Sequence, residues 1–234
     1  MREAGQSPAH LRQRMARRWR GLAAVLAGSV LAWSLQAFEI PAPMERAARE
    51  AGPAVVTLLQ SLKRATDAVQ PGNDLDALNR VNNFFNQNIQ YGDDLEVWGK
   101  VDYWASPFET FKRGYGDCED YVIAKYFTLL QMGMSPEKLR FVYVRATMAG
   151  SPKPIAHMIL AYYATPTTTD PLILDILDNA VKPASQRRDL VPVFSFNTQG
   201  LWQGVSGSSQ GNAAARLSPW RDLLEKVKGE GFVF

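Results

Sequence analysis

The stretch RGYGDCEDYVIAKYF, Arg113 to Phe127, holds the chain's single cysteine, Cys118, with Asp117 before it and Glu119 and Asp120 after it. Gly114 and Gly116 lead into the thiol, and an apolar pattern leads away from it. Val122, Ile123, Tyr126, Phe127 and Leu130 share one face at helical spacing, which predicts a helix from near Asp117 to Gln131, stopped by Gly133. Cys118 then occupies the first turn, where unpaired backbone N–H groups and the positive end of the helix dipole favour a thiolate. Three carboxylates beside it act in the opposite sense. Two bland readings compete: a cysteine in a helix is often inert packing, and acids in a first turn stabilise the helix by about 0.3–1 kcal/mol each with no metal present.

A thiol nucleophile needs a base, and a base needs a group to hold its tautomer. The chain has two histidines, His10 and His157, and His10 falls in the N-terminal leader. His157 lies in AHMILAYY, a β-type run. Asp175 interrupts the apolar run PLILDIL one hairpin later, so neighbouring antiparallel strands could set the two side by side. Asp178 is a rival for that role.

Around these residues the chain reads as helices followed by strands. Met44–Gln70 is helix-leaning with a break at Gly52–Pro53. Leu75–Ile89 repeats apolar residues at positions 75, 78, 81, 85 and 89 behind a cap at Asn73 or Asp74. Ser106, Pro107 and Glu109 form a capping-box pattern for a short helix ended by Gly114. SPEKL, Ser135–Leu139, is a short capped turn. Arg140–Ala146, Ala156–Tyr163, Pro171–Leu177 and Val191–Phe196 are β-branched and aromatic runs bounded by turn residues. The links between them are too short for crossover helices, which predicts an antiparallel sheet. A final helix is expected over Ser218–Lys228. The sum is an α+β fold.

The charge is unevenly placed. The 234 residues carry +3, but residues 1–37 hold six arginines and one acid, +5, so the remainder carries −2. A body of that charge offers no electrostatic case for nucleic acid. One cysteine excludes an internal disulfide and a Cys-rich zinc site. The basic start followed by GLAAVLAGSVLAWSL, Gly21–Leu35, matches a secretory signal over 1–37, with an uncleaved anchor as the alternative, and a domain over 38–234. Both place the body outside the cytosol, in a periplasm for a bacterium.

DYWASPFETF, GYGDCEDYVIAKYFTLLQMGM, AHMILAYY and PLILDILDNAVKPASQRRDLVPVFSFNTQGLW, in that order, resemble the bacterial transglutaminase-like cysteine proteinases. The resemblance spans about Asn79 to Trp202. It implies a papain/transglutaminase-like fold with Cys118 as nucleophile, His157 as base and then acid, and Asp175 as imidazole orienter. Asp175 is favoured over Asp178 by its place eight residues before Pro183, although this chain has LDILDN where the family has a shorter LDN. The resemblance also implies calcium, held through Asp117 and Glu119, with Asp120 adding to the site and Asp93, Asp94, Glu96 or Asp102 completing it. No EF-hand spacing occurs. It further implies an adhesin protein substrate, cut in its N-terminal region to release it from the cell and disperse a biofilm. The usual partner is an inner-membrane cyclic-di-GMP receptor that sequesters the protease, for which the surface near Trp202 is the candidate. Backbone N–H of Cys118 is the natural oxyanion donor, with Tyr103–Trp104 as a possible source of a second. Two rival functions remain at this level: a transglutaminase or amidase acting on glutamine, distinguished by amine incorporation, and a non-catalytic binding module, distinguished by an unreactive thiol.

Overall fold

The computed structural model describes residues 35–151, 153–205 and 207–234. The expected signal segment lies outside the described residues up to residue 34. Of its last three residues, Leu35 is buried in the core and Gln36 donates its N–H to the Met132 carbonyl. No helix among the described residues is long and apolar enough to cross a membrane.

Among the described residues, five helices precede the cysteine helix. The break expected at Gly52–Pro53 separates α1 (Ala42–Ala51) from α2 (Pro53–Thr66), because Gly52 takes φ 116°, which a side chain would resist. In α3 (Asp74–Asn88) the Asn73 side chain accepts the Asp76 N–H. Leu78, Val81, Phe85 and Ile89 are buried as the spacing predicts, but Leu75 is exposed, and Ala77 and Phe84 are buried in addition. The first turn of α3 projects past the core, so the apolar stripe begins one turn later. A short α4 (Asp94–Trp98), which the sequence reading missed, fills the loop before α5 (Pro107–Arg113). The capping box at Ser106 and Glu109 is formed, and Gly114 ends α5 at φ 71°.

The cysteine helix, α6 (Cys118–Gln131), is central: every residue from Asp120 to Leu130 is buried. A helix apolar on all sides needs partners on all sides. On one side these are α3 and α5; on the other it lies on a six-stranded antiparallel sheet. The strands are β3 (Leu139–Ala146), β4 (Ile155–Tyr162), β5 (Leu172–Leu174), β6 (Lys182–Pro183), β7 (Leu190–Phe196) and β8 (Leu201–Gln203), ordered β6-β5-β4-β3-β7-β8. A parallel two-residue pair, β1 (Gln90–Tyr91) with β2 (Tyr115–Gly116), ties the end of α3 to the approach to Cys118. The chain closes with α7 (Ala213–Arg216) and α8 (Ser218–Gly229).

The face of the sheet toward α6 is aromatic. Trp220 of α8 packs edge-on against Phe141 at 4.9 Å and Phe196 at 5.3 Å, and reaches Tyr126 and Phe127 of α6. Burying such rings supplies most of the driving force for this layer. The opposite face holds a separate cluster of Val142, Val144, Ile159, Ala161 and Ile173.

Two departures from the expected strands matter for the site. The run Pro171–Leu177 yields a strand of only three residues, which stops before Asp175. In β7 the pairing skips Val193, with Pro192 opposite Val144 and Phe194 opposite Tyr143. A bulge beside a proline is a place where a strand turns its side chains without losing the sheet. The result is a stacked pair, Tyr143 on Phe194 at 5.2 Å, beside the cysteine.

Candidate active site

Asp117 caps α6 in extended geometry, so Cys118 begins the helix. Gly116 touches the first turn closely: a Cβ there would lie 2.7 Å from the Cβ of Asp120. The approach to the thiol therefore demands a glycine at 116. Cys118, His157, Met158, Tyr143, Phe194 and Trp104 line one cleft of about 430 Å³. The Met158 backbone N–H faces the sulfur. Trp104 is steadied from outside, since Lys226 of α8 donates to its carbonyl at 2.9 Å.

His157 is 4% exposed, and its Nε2 lies 2.7 Å from Asp175 Oδ1. The route differs from simple strand neighbours. The ladder sets Leu160 opposite Leu174, which by continuation places Asp175 opposite Ile159 and two residues short of His157. The carboxylate reaches the ring because the chain leaves the strand at Leu174. The same Oδ1 accepts the Leu177 N–H at 3.1 Å, and Oδ2 accepts Arg187 Nη2 at 2.7 Å. Burial works against the Asp175 charge, but His157 and Arg187 together outweigh it and hold the carboxyl below its ordinary range. Asp178 is engaged elsewhere, in a 2.7 Å pair with Lys182.

Sequence reasoning did not single out Arg187. It is 6% exposed and pairs also with Asp189, through Nε at 3.0 Å and Nη2 at 2.7 Å. The available signal was the conjunction RRD after PASQ, a basic pair next to an acid in a turn; nothing local says that it faces Asp175.

The acids around the thiol form the second half of the site. Cys118 Sγ donates to Glu119 Oε2 at 3.0 Å. Burial first, then the charges of Glu119 and Asp117, push the thiol well above its ordinary range; the Met158 N–H opposes them weakly. The helix dipole thus loses to desolvation and like charge in this arrangement. Burial and the Glu119 and Asp120 charges lift Asp117 to about 9, and burial lifts Asp94 to about 6 against the pull of the Tyr103 N–H. Asp120 is raised too, by burial above all, while its Oδ1 accepts the Ala105 N–H at 2.7 Å.

Three oxygens in this cluster are buried without any hydrogen-bond donor: Asp94 Oδ1, Asp117 Oδ1 and Asp120 Oδ2. The carboxylates of these three residues also come within 4.8 Å of one another, and Asp94, Asp102 and Glu119 form a second such group. Unpartnered buried carboxylate oxygens are costly unless a cation meets them. An all-oxygen donor set of this kind suits a hard cation such as calcium. Of the loop acids, Asp94 and Asp102 join the cluster; Asp93 and Glu96 belong to none of the groups found among the described residues.

Residues 60–208 match the sequence pattern of the bacterial transglutaminase-like cysteine proteinases (BTLCP). The chain belongs to that family. Its papain/transglutaminase-like α+β fold is shared with solved structures of LapG from Legionella pneumophila. The EGTA-treated form is 35% identical, with a TM-score of 0.68 over 79% of this chain and 95% of that one. The calcium-bound form is also 35% identical, with a TM-score of 0.66 over 78% of this chain and 96% of that one. No curated protein sequence matches. Membership of a peptidase family, with one partly buried cysteine among acids, gives this chain the makings of cysteine-peptidase chemistry, and a calcium-bound relative links the family to calcium.

Proposed function

We propose that this protein is an exported, calcium-dependent cysteine endopeptidase with Cys118, His157 and Asp175 as its catalytic triad. The observation that carries the reading is the buried pair between His157 Nε2 and Asp175, with His157 lining the cleft that also contains the chain's one thiol. With Nε2 engaged, Nδ1 of the same ring is left to accept the thiol proton. Cys118 Sγ then attacks the peptide carbonyl, and the Cys118 backbone N–H steadies the oxyanion at the helix start. The imidazolium returns its proton to the leaving amine, and a water activated by the same ring hydrolyses the thioester. Asp175 keeps the tautomer and stabilises the imidazolium, while Arg187 keeps Asp175 charged.

Asp94, Asp117, Glu119 and Asp120 would hold the calcium ion, with Asp102 beside them. When bound, the ion supplies the positive charge that these carboxylates lack and so removes the like-charge pressure on the thiol. The substrate we propose is the N-terminal region of a large surface adhesin in the periplasm, whose cleavage releases it and disperses a biofilm. The proposed regulator is an inner-membrane cyclic-di-GMP receptor that sequesters the enzyme.

The test is proteolysis of an adhesin N-terminal fragment from the same organism, by wild type and Cys118→Ala, each with calcium and with chelator. Cleavage is expected only from wild type with calcium. Equal cutting by Cys118→Ala would remove the nucleophile; undiminished cutting in chelator would remove the metal.

A further inference from the structure

One polar network lies beneath the triad with no part in the steps above. Lys125 is on α6, seven residues and so about two turns after Cys118, on the same side of the helix. It has no exposed surface. Its ammonium donates to Asn82 Oδ1 and to Asn86 Oδ1, both at 2.7 Å, and lies 5.6 Å from the Tyr121 ring. Asn82 and Asn86 are one turn apart on α3 and face the lysine together.

Each asparagine uses its other end on the loop that follows β5. Asn86 Nδ2 donates to the Asp175 carbonyl at 2.8 Å and to Asn179 Oδ1 at 2.9 Å. Asn82 Nδ2 donates to the Asn179 carbonyl at 3.0 Å. Lysine offers only donors and the loop carbonyls only acceptors, so each amide has a single orientation that satisfies both. An aspartate at 82 or 86 would set a carboxylate against a carbonyl, and an apolar residue at 125 would orphan two buried amide oxygens. Burial lowers the lysine to about 7 even though the charge of Asp175 works to sustain the ammonium.

We propose that Lys125, acting through Asn82 and Asn86, is a positioning residue that locks the Asp175 loop to the helix carrying Cys118. The strut matters because Asp175 lies outside the strand ladder, where no sheet hydrogen bond fixes it. One end of the triad is set by α6 and the other by a loop; the lysine and the two amides make them one rigid unit. This inference rests on the triad reading above.

The test uses the full chain in 1 mM calcium chloride, with Lys125→Met and Asn86→Ala. Two properties are read: the rate of Cys118 alkylation by iodoacetamide from pH 5 to 10, and the NMR signal of the His157 Nε2 proton shared with Asp175. For both variants we expect alkylation at pH 7.5 to fall at least fivefold, its rise with pH to move upward, and the His157 proton signal to broaden or vanish. A variant that melts earlier but keeps the wild-type pH profile within twofold, and keeps that signal, would overturn the proposal and leave the network a merely structural role. If Lys125→Met does not fold, Asn86→Ala decides alone, since Asn86 is only partly buried. His157→Gln separates the two levels of the argument: if it alkylates as wild type does, the triad reading fails, and the NMR signal alone then judges the strut.

Discussion

Replacing Arg187 by methionine tests the electrostatics of the site without touching the thiol or the imidazole. Arg187 and Asp175 form a buried pair, with side chains 6% and 0% exposed. Removing one member of a buried ion pair typically costs about 3–5 kcal/mol, because the other charge stays behind unpaired. Asp175 would keep the His157 ring and the Leu177 N–H, so the loss should fall near the lower end. At about 2–4 °C per kcal/mol for a domain of this size, the melting temperature should drop by roughly 6–12 °C at pH 7.5. Asp189 is the control. It is 36% exposed, and its loss leaves Arg187 still paired with Asp175, so Asp189→Asn should cost less than about 1 kcal/mol. The sign with pH follows from the depressed carboxyl of Asp175. Its stabilising charge is fully present above the ordinary aspartate range and is lost as pH falls through the lowered folded value. The gap between wild type and Arg187→Met should therefore be widest near neutrality and narrow in acid. Thermal unfolding by circular dichroism reads all of this. Equal losses for Arg187→Met and Asp189→Asn, or a loss below about 2 °C for Arg187→Met, would refute the reasoning.

Two further outcomes are expected. Calcium at about a hundredfold excess over its dissociation constant should stabilise the folded chain by roughly 2.7 kcal/mol. Asp120→Asn should remove more than half of that gain while raising the melting temperature in chelator, because one buried repulsion is gone; a calcium-induced rise identical to wild type would disprove the site. Glu230 is half-buried just past the end of α8, bonded to the Ser106 hydroxyl and the Phe108 N–H, and desolvation of its carboxyl raises it to about 7. A raised acid is stabilised while protonated, and its advantage disappears as pH climbs from its unfolded value to its folded one. Glu230→Gln should thus match wild type near pH 4 and exceed it by at most about 3 kcal/mol at pH 8, read by urea titration; a difference independent of pH would remove this account.

Much of the frame was legible along the chain because its signals are local. The glycine break before α2, the Asn73 cap, the capping box of α5 and the start of α6 at the cysteine each depend on residues within one turn. The missed elements were those with little local signature. Helix α4 is five residues long, and β1 with β2 exists only because residues 90 and 115 meet. Leu75 was misplaced for a related reason: periodicity says which side is apolar, not how far the core extends to cover it.

The residue types and their order along the chain determined by themselves that a lone thiol would open a helix among acids, that one histidine would ride on a strand, and that helices would precede an antiparallel sheet. Which charges meet was decided only by the tertiary structure. Arg187 lies twelve residues from Asp175, Lys125 some forty from Asn82 and Asn86, and Asp94 joins Asp117 and Asp120 across two intervening elements. Helix and turn signals fade within a few residues, whereas Coulomb forces and hydrogen bonds in a buried site act between whatever the fold brings within a few ångström. That is why the acids and the thiol could be named from the chain, while the cations that steady them and the oxygens left open beside them could not.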